Sequence, residues 1–153
     1  MQSFESKIPP PIIAAIAAAV MWGFSFIVPA IRLGPVARTT AIIVLLVSGI
    51  YFGISGIVSF KKAATTTNPL KPETASSLVC SGIYKVSRNP MYVGLALVLL
   101  AWAVYLSSAW VIIGIFGFVL YMNQFQIVPE ERALTELFGA EYLNYQSRVS
   151  RWL

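Results

Sequence analysis

The chain has 153 residues, of which 58% are hydrophobic and only 11% charged. Soluble domains carry roughly a quarter charged residues, so this composition excludes an ordinary soluble domain and predicts an integral membrane protein. The absence of histidine and the single cysteine, Cys80, exclude imidazole catalysis, His-ligated metal sites and an internal disulfide. The net charge of +5 comes without a basic cluster that interleaves aromatic residues. We therefore expect contact with anionic membrane lipids and no nucleic-acid partner.

Four apolar stretches predict four transmembrane helices, over about 12–31, 39–60, 91–106 and 109–128. Pro29 is expected to end or kink the first helix. Alanines on the first helix and the Gly49 and Gly53 pair on the second predict close approach of a neighbouring helix. The fold class is therefore all-α and membrane-integral, with residues 1–153 expected to form one domain.

A polar loop separates the second and third apolar stretches. Residues 61–81 are rich in Thr and Pro, which disfavour a continuous helix. A loop of about twenty residues is unusual in a compact domain and is often functional. It leads directly into residues 82–94, which places it to fold over a site there.

Residues 82–94 have the features of an anion-binding site. Pro90 is suited to the first position of a helix, because the amide that proline lacks has no partner there. Asn89 is then placed to cap the helix, and Arg88 puts a permanent cation at the water–lipid boundary. Free amides at a helix start beside an arginine favour a carboxylate or phosphate. A capped membrane helix with a positive flank would explain the same pattern without any ligand.

The chain becomes polar from the end of the fourth apolar stretch. Amides such as Gln126 near a membrane surface usually face protein or a wet cavity. Glu130 and Glu131 lie where a helix would start or reset after Pro129. Apolar residues then recur every three or four positions, which predicts amphipathic helices in the 129–153 tail, with a break at Gly139.

The distribution of Lys and Arg predicts the orientation. With four spans, one side carries only Arg32 and Arg38, and the other nine cations lie on the opposite side. The positive-inside rule therefore places both termini and the long loop in the cytoplasm. Arg88 and the two glutamates then converge on one face, as a binding site at the mouth of a helix bundle requires.

Several motifs, in this order and spacing, resemble the isoprenylcysteine carboxyl methyltransferases and the related phospholipid N-methyltransferases. They are Gly82-Ile83-Tyr84, Arg88-Asn89-Pro90-Met91-Tyr92-Val93-Gly94, Glu130-Glu131-x-x-Leu134, Phe138-Gly139-x-Glu141-Tyr142-x-x-Tyr145 and Arg148-Val149. The resemblance covers nearly the whole chain. Its opening residues and the stretch 66–70 look like the short bacterial members, which implies the bacterial inner membrane.

The resemblance implies S-adenosylmethionine as the cofactor and a lipid-like or prenylated acceptor, with catalysis assigned to Arg88, Glu131 and Arg148. The cofactor-binding positions that it implies are Tyr84, Arg88, Asn89, Pro90, Tyr92, Gly94, Glu130, Glu131 and Leu134. The prenylcysteine enzymes usually have His at the position of Asn89, and they often carry Arg where this chain has Gln126. The first difference is closer to the phospholipid-type pattern.

Two other functions are alternatives. Sterol reductases share a similar arrangement of Arg-Asn-Pro and paired acids. The first alternative is therefore a nicotinamide-dependent membrane reductase. Residues 21–26 superficially resemble the first helix of drug/metabolite transporters. No apolar stretch carries an acid in its interior, which disfavours the transporter.

Overall fold

The computed structural model describes residues 8–31, 33–63 and 76–153, and helices are the only regular secondary structure in these ranges. The first three helices of the bundle are α1 (Pro10–Ser25), α2 (Pro35–Lys62) and α3 (Pro90–Leu106). The last part is a helical rod with a kink at Gly139. It comprises α4 (Ile112–Tyr121), a π-helical segment (Met122–Ile127) and α5 (Val128–Arg148). Short 3-10 turns at Gly82–Lys85 and Ala109–Val111 precede α3 and α4.

The all-α prediction is confirmed, and the helix bounds differ from those expected. α1 ends at Ser25 and not near residue 31, because the amides of Phe26 and Ile27 bond back into a terminal turn well before Pro29. α2 starts earlier than predicted, with Pro35 in its first turn. Pro129 does not start a new helix. It lies in the first turn of α5, which continues directly from the π-helical segment.

Two helices are long and apolar enough to cross a bilayer. They are Pro35–Lys62, with 28 residues, and the rod Ile112–Arg148, with 37 residues; the most apolar 18-residue windows of these two helices have mean hydropathies of 2.4 and 1.5. α1 and α3 are apolar but have 16 and 17 residues, which is about 25 Å of helix against a hydrocarbon core of about 30 Å. Large apolar side chains cover the outward faces, among them Val36, Val47, Ile54, Ile113, Phe116 and Leu120. A continuous surface of this kind is compatible with lipid and not with water.

α3 is the centre of the bundle, because α1, α2 and α4 all pack on it. The first core cluster lies between α1, α3 and the rod, and its most buried members are Met21, Leu99, Val111, Phe118, Met122 and Ile127. A second cluster joins the 3-10 turn to α5, with Val79, Ile83, Tyr84, Tyr142 and Tyr145 buried. This second cluster holds the 3-10 turn against α5, and so fixes the position of the polar residues that lie between the turn and this helix. The expected break at Gly139 is present, since its φ of 48° and ψ of −122° are not helical.

The closest helix contact joins α2 to α3 through glycine. A Cβ atom on Gly49 would lie 2.9 Å from the Gly94 carbonyl oxygen and 3.1 Å from a Val98 methyl group. A Cβ on Gly53 would have no atom within 4 Å. Only the first of the two paired glycines is therefore required by the close approach of the backbones.

We expect Gly49→Ala to destabilise the protein by about 1–3 kcal/mol, because the new methyl group overpacks a backbone contact that has no flexible side chain to move. Gly53→Ala is the matched control on the same helix. It should be neutral or slightly stabilising, since alanine is the better helix former. Thermal unfolding in detergent measures both, and an equal fall in Tm would contradict this explanation.

Candidate functional site

The candidate site lies at one end of α3, where three parts of the chain meet. The 3-10 turn that contains Tyr84 is held against α5 by the Tyr145 hydroxyl, which donates to the Tyr84 carbonyl oxygen over 2.7 Å. The Tyr84 ring packs edge-on against Phe60 of α2, with 5.4 Å between ring centroids. Residues 86–89 then lead from this turn into α3. The predicted motifs around residues 84–94 and 130–134 are thereby brought into one region.

An arginine–glutamate–arginine cluster forms the centre of the site. Glu131, in the first turn of α5, accepts hydrogen bonds from Arg151 Nε at 3.0 Å and Arg151 Nη2 at 2.7 Å. Arg88 Nη1 lies 3.1 Å from Glu131 Oε1. The Arg88 and Glu131 side chains are only 10% and 13% exposed. One carboxylate thus faces two guanidinium groups, and the cluster carries a net positive charge.

Arg88 is only partly satisfied by this contact. The distance to Glu131 is that of an ion pair, but Arg88 Nε and Nη1 have no hydrogen-bond partner among the described residues, and both atoms are buried. Leaving buried donors without acceptors is costly. This guanidinium is therefore placed to donate to an acceptor from outside the described chain.

The end of the chain closes over the start of α3. The backbone amide of Arg88 donates to the Ser150 carbonyl oxygen over 2.9 Å. The Asn89 side-chain amide donates to the Arg151 carbonyl oxygen, also over 2.9 Å. Trp152 Nε1 donates to Asn123 Oδ1 in the π-helical segment over 3.0 Å. Residues 150–152 therefore connect the two motifs to each other.

Asn89 occupies the predicted N-cap position of α3, but its side chain makes no capping bond. The prediction of a side-chain cap was wrong, and the Asn89 side chain instead donates from its NH₂ group to the Arg151 carbonyl oxygen. The Asn89 carbonyl oxygen accepts from the amides of Tyr92 and Val93, which starts the helix. Pro90 lies in the first turn, as predicted.

A second polar group, centred on the partly buried Glu130, lies beside the cluster. Glu130 Oε1 accepts a 2.5 Å hydrogen bond from the Tyr92 hydroxyl and a 2.7 Å bond from Gln126 Nε2. Gln126 is 2% exposed and belongs to the π-helical segment, a rare geometry that is frequent at functional sites. Glu130 follows the apolar stretch that ends at Val128. Burial raises the pKa of Glu130 to about 7, with Glu131 adding to the rise and the bonds from Tyr92 and Gln126 opposing it.

The structure does not bring every expected residue to the cluster. Gly94 packs against Gly49 of α2, on the helix–helix contact. Leu134 is part of the apolar packing around the second core cluster. Arg148 is exposed, and its Nε donates to the Asn144 carbonyl oxygen one turn earlier. The loop 61–81 falls largely in residues 64–75, outside the described ranges.

Sequence reasoning missed Arg151 and the bond from Gln126 to Glu130. Arg151 lies three residues after Arg148, and both belong to the same 129–153 tail, so spacing alone did not separate them. Gln126 and Glu130 are four residues apart. That spacing places them on one helix face, and it was the available signal for their contact.

Comparison with known proteins identifies the family of the chain. The family model for phospholipid methyltransferases matches residues 37–141, which is more than half of the chain. The chain belongs to the phospholipid methyltransferase family. This family groups with the isoprenylcysteine carboxyl methyltransferase-like enzymes, so the expected membership is confirmed and a methyltransferase is implied.

An uncharacterised protein of Haemophilus influenzae is 46% identical over 63 residues, which are 41% of this chain and 100% of that protein. No solved structure matches the chain. Membership of the family, together with the two long apolar helices, also indicates a membrane protein.

The raised pKa of Glu130 gives the stability a pH dependence with a definite sign. The folded state holds the proton up to about pH 7, whereas an unfolded glutamate loses it near 4.5. The folded state therefore binds more protons between these values, so stability is greatest at low pH and falls as the pH rises from about 4.5 to 7.

We expect Glu130→Gln to flatten the profile of Tm against pH over this interval. Glu136→Gln, on the exposed side of α5, should retain the wild-type slope, and identical slopes for all three proteins would contradict the assignment.

Proposed function

We propose that the protein is an S-adenosylmethionine-dependent methyltransferase that acts on a membrane-associated lipid-like or prenylated acceptor at the cytoplasmic face. Family membership supports the methyl transfer and favours it over the reductase and the transporter. The observation that carries the site is Arg88, whose buried Nε and Nη1 have no hydrogen-bond partner among the described residues.

The residues present fit this cofactor. S-adenosylmethionine carries a carboxylate, and the Arg88–Glu131–Arg151 cluster has one more positive than negative charge with free donors on Arg88. A guanidinium fork binds a carboxylate by two parallel hydrogen bonds. We propose that Arg88 holds this carboxylate and that Tyr84 and Tyr92 help to form the surrounding pocket. Asn89 and Pro90 fix the loop and the first turn of α3 that present Arg88.

The cofactor supplies an activated methyl group, and the protein has to align the acceptor with it. We propose that Glu131 orients Arg88 and that Arg151 in turn fixes Glu131 through its two hydrogen bonds. Arg148 was expected in the catalytic set from the family pattern. Of the two arginines only Arg151 contacts the cluster, so we assign the positioning role to Arg151.

An amine acceptor has to lose a proton, whereas a carboxylate acceptor does not. With no histidine in the chain, Glu130 is the best-placed group to receive that proton. Its pKa of about 7 matches the range in which a general base is effective near neutral pH. Glu130 Oε1 is the oxygen that the Tyr92 hydroxyl and Gln126 hold in place.

The acceptor is proposed to come from the bilayer. Arg88 lies two residues before the apolar helix α3, and Glu130 lies two residues after the apolar stretch that ends at Val128, where a polar head group meets a lipid surface. The distribution of Lys and Arg supports four spans with both termini in the cytoplasm of a bacterium and the site facing the cytoplasm. α1 and α3, although short, cross in this arrangement by local thinning of the bilayer.

Arg88→Ala and Glu131→Gln should each weaken binding of S-adenosylmethionine by about 1–3 kcal/mol, through loss of a charge-assisted hydrogen bond or of the group that orients it. Lys85→Ala removes an exposed cation three residues before Arg88 and should leave the affinity unchanged. Calorimetric titration of purified protein gives the affinities, and thermal unfolding without ligand checks the fold. Unchanged affinity in both site variants, or a rise in Tm with a nicotinamide cofactor alone, would overturn the assignment.

Inverted membrane vesicles that contain the protein should transfer label from methyl-labelled S-adenosylmethionine into the lipid extract, because the cofactor site faces the added cofactor. Right-side-out vesicles should show little transfer, since the charged cofactor does not cross the bilayer. Vesicles with Arg88→Ala serve as the inactive control. Label only in water-soluble products would contradict a lipid acceptor, and equal labelling of both vesicle types would contradict the orientation.

A further inference from the structure

A second apolar site lies away from the polar cluster, in a groove between α1 and α2. Its floor is one face of α3, and its volume is about 560 Å³. Ala15 and Ala18 of α1 form one wall, and Ile42 and Leu46 of α2 form the other. The size is that of a small-molecule site, and every lining side chain is apolar or aromatic.

The groove exists because α1 and α2 both pack on α3 without packing substantially on each other. The alanines of α1 are too short to reach the side chains of α2. Ala15 is exposed and does not belong to the core, whereas Ala18 packs against the first core cluster. The expectation that the alanine face is covered by a neighbouring helix is therefore met on only one side.

A fixed cation stands at one end of this groove. Arg38, in the first turns of α2, donates from Nη2 to the Tyr105 carbonyl oxygen, and its guanidinium carbon lies 5.4 Å from the centroid of the Tyr105 ring. Tyr105 lines the groove and stacks on Trp102, with 5.1 Å between centroids and 15° between planes. A cation, two stacked rings and an apolar groove thus follow one another along α3.

The charge of Arg38 lacks a nearby acid in the sequence. No Asp or Glu occurs between residues 6 and 72 or between residues 74 and 129. Glu130 and Glu131 belong to the cluster at the other end of α2, where Gly56 approaches Met91 and Pro90. The 28 residues of α2 separate the two ends by about 40 Å. Among the described residues, Arg38 forms no ion pair with an acid, so an anion from outside these residues is the complementary group.

The length of the groove matches one leaflet. From Leu95 to Tyr105 is ten residues of α3, or about 15 Å of helix, and half of the hydrocarbon core is also about 15 Å. We propose that the groove binds one acyl chain of a phospholipid from the leaflet remote from Arg88, with the lipid phosphate at Arg38. This site does not depend on the proposed methyltransferase activity, and it binds a lipid that is not at the position of methyl transfer.

Native mass spectrometry of the protein in mild detergent, titrated with phosphatidylglycerol, tests the site. The wild-type protein should retain about one lipid, and Arg38→Gln should weaken retention at least about tenfold, as expected for loss of a charged hydrogen-bond donor. Lys62→Gln, which removes an exposed cation from the opposite end of the same helix, should not change it.

A second pair of variants tests the groove itself. Ala15→Phe should abolish retention by filling the groove, while Ala19→Phe places the same ring on an exposed α1 position outside the groove lining and should retain the lipid. Unchanged retention in both Arg38→Gln and Ala15→Phe would overturn the proposal. A dimer of the lipid-free wild-type protein that Ala15→Phe dissociates would overturn it as well, because a second copy would then occupy the groove.

Discussion

The carboxylate of Glu131 is the point on which the rest of the site depends. It receives Arg88 from the start of α3 and Arg151 from the end of the chain, so three distant segments converge on two oxygen atoms. Burying charged groups costs several kcal/mol per ion, and their mutual attraction repays this only with good geometry and further hydrogen bonds. Arg151 satisfies both requirements with two bonds, whereas Arg88 does not. We therefore explain the cluster by the positions in which it holds Arg88 and the chain end, and not by a contribution to the stability of the fold.

The π-helical segment has a comparable local effect. It lies between the apolar α4 and the polar α5, and it brings Gln126 and Asn123 to the protein side of the rod. Gln126 fixes Glu130, and Asn123 anchors Trp152 at the chain end. The six-residue π-helical segment thus contributes contacts to Glu130 directly and to the chain end that carries Arg151, the partner of Glu131. Among the described residues the two carboxylates have different surroundings, since Glu131 faces two cations and Glu130 accepts from two neutral donors.

Polar and apolar functions are separated along α3. The charged cluster lies at the start of α3 and in the two residues before it, from Arg88 to Tyr92, and the stretch from Leu95 to Tyr105 forms the floor of the apolar groove. The glycine contact between Gly49 and Gly94 holds α2 close at the level between them. α1 and α2 both pack on α3 but not substantially on each other, and the groove lies between them. Both sites are consequently built on the same central helix, α3.

The sequence by itself determined the helical class, the places of the four apolar helices, the helix start at Pro90, the break at Gly139 and the family, whereas the structure showed that two of the helices are long enough to span a bilayer. These features follow from composition, from proline and glycine geometry and from motif order, which are local properties of the chain. Only the tertiary structure decided that the Asn89 amide bonds the chain end and does not cap α3. It likewise selected Arg151 over Arg148 for contact with Glu131. The physical reason is that these contacts join residues twenty to sixty positions apart, and the path of the backbone, which residue spacing does not encode, determines which side chain arrives.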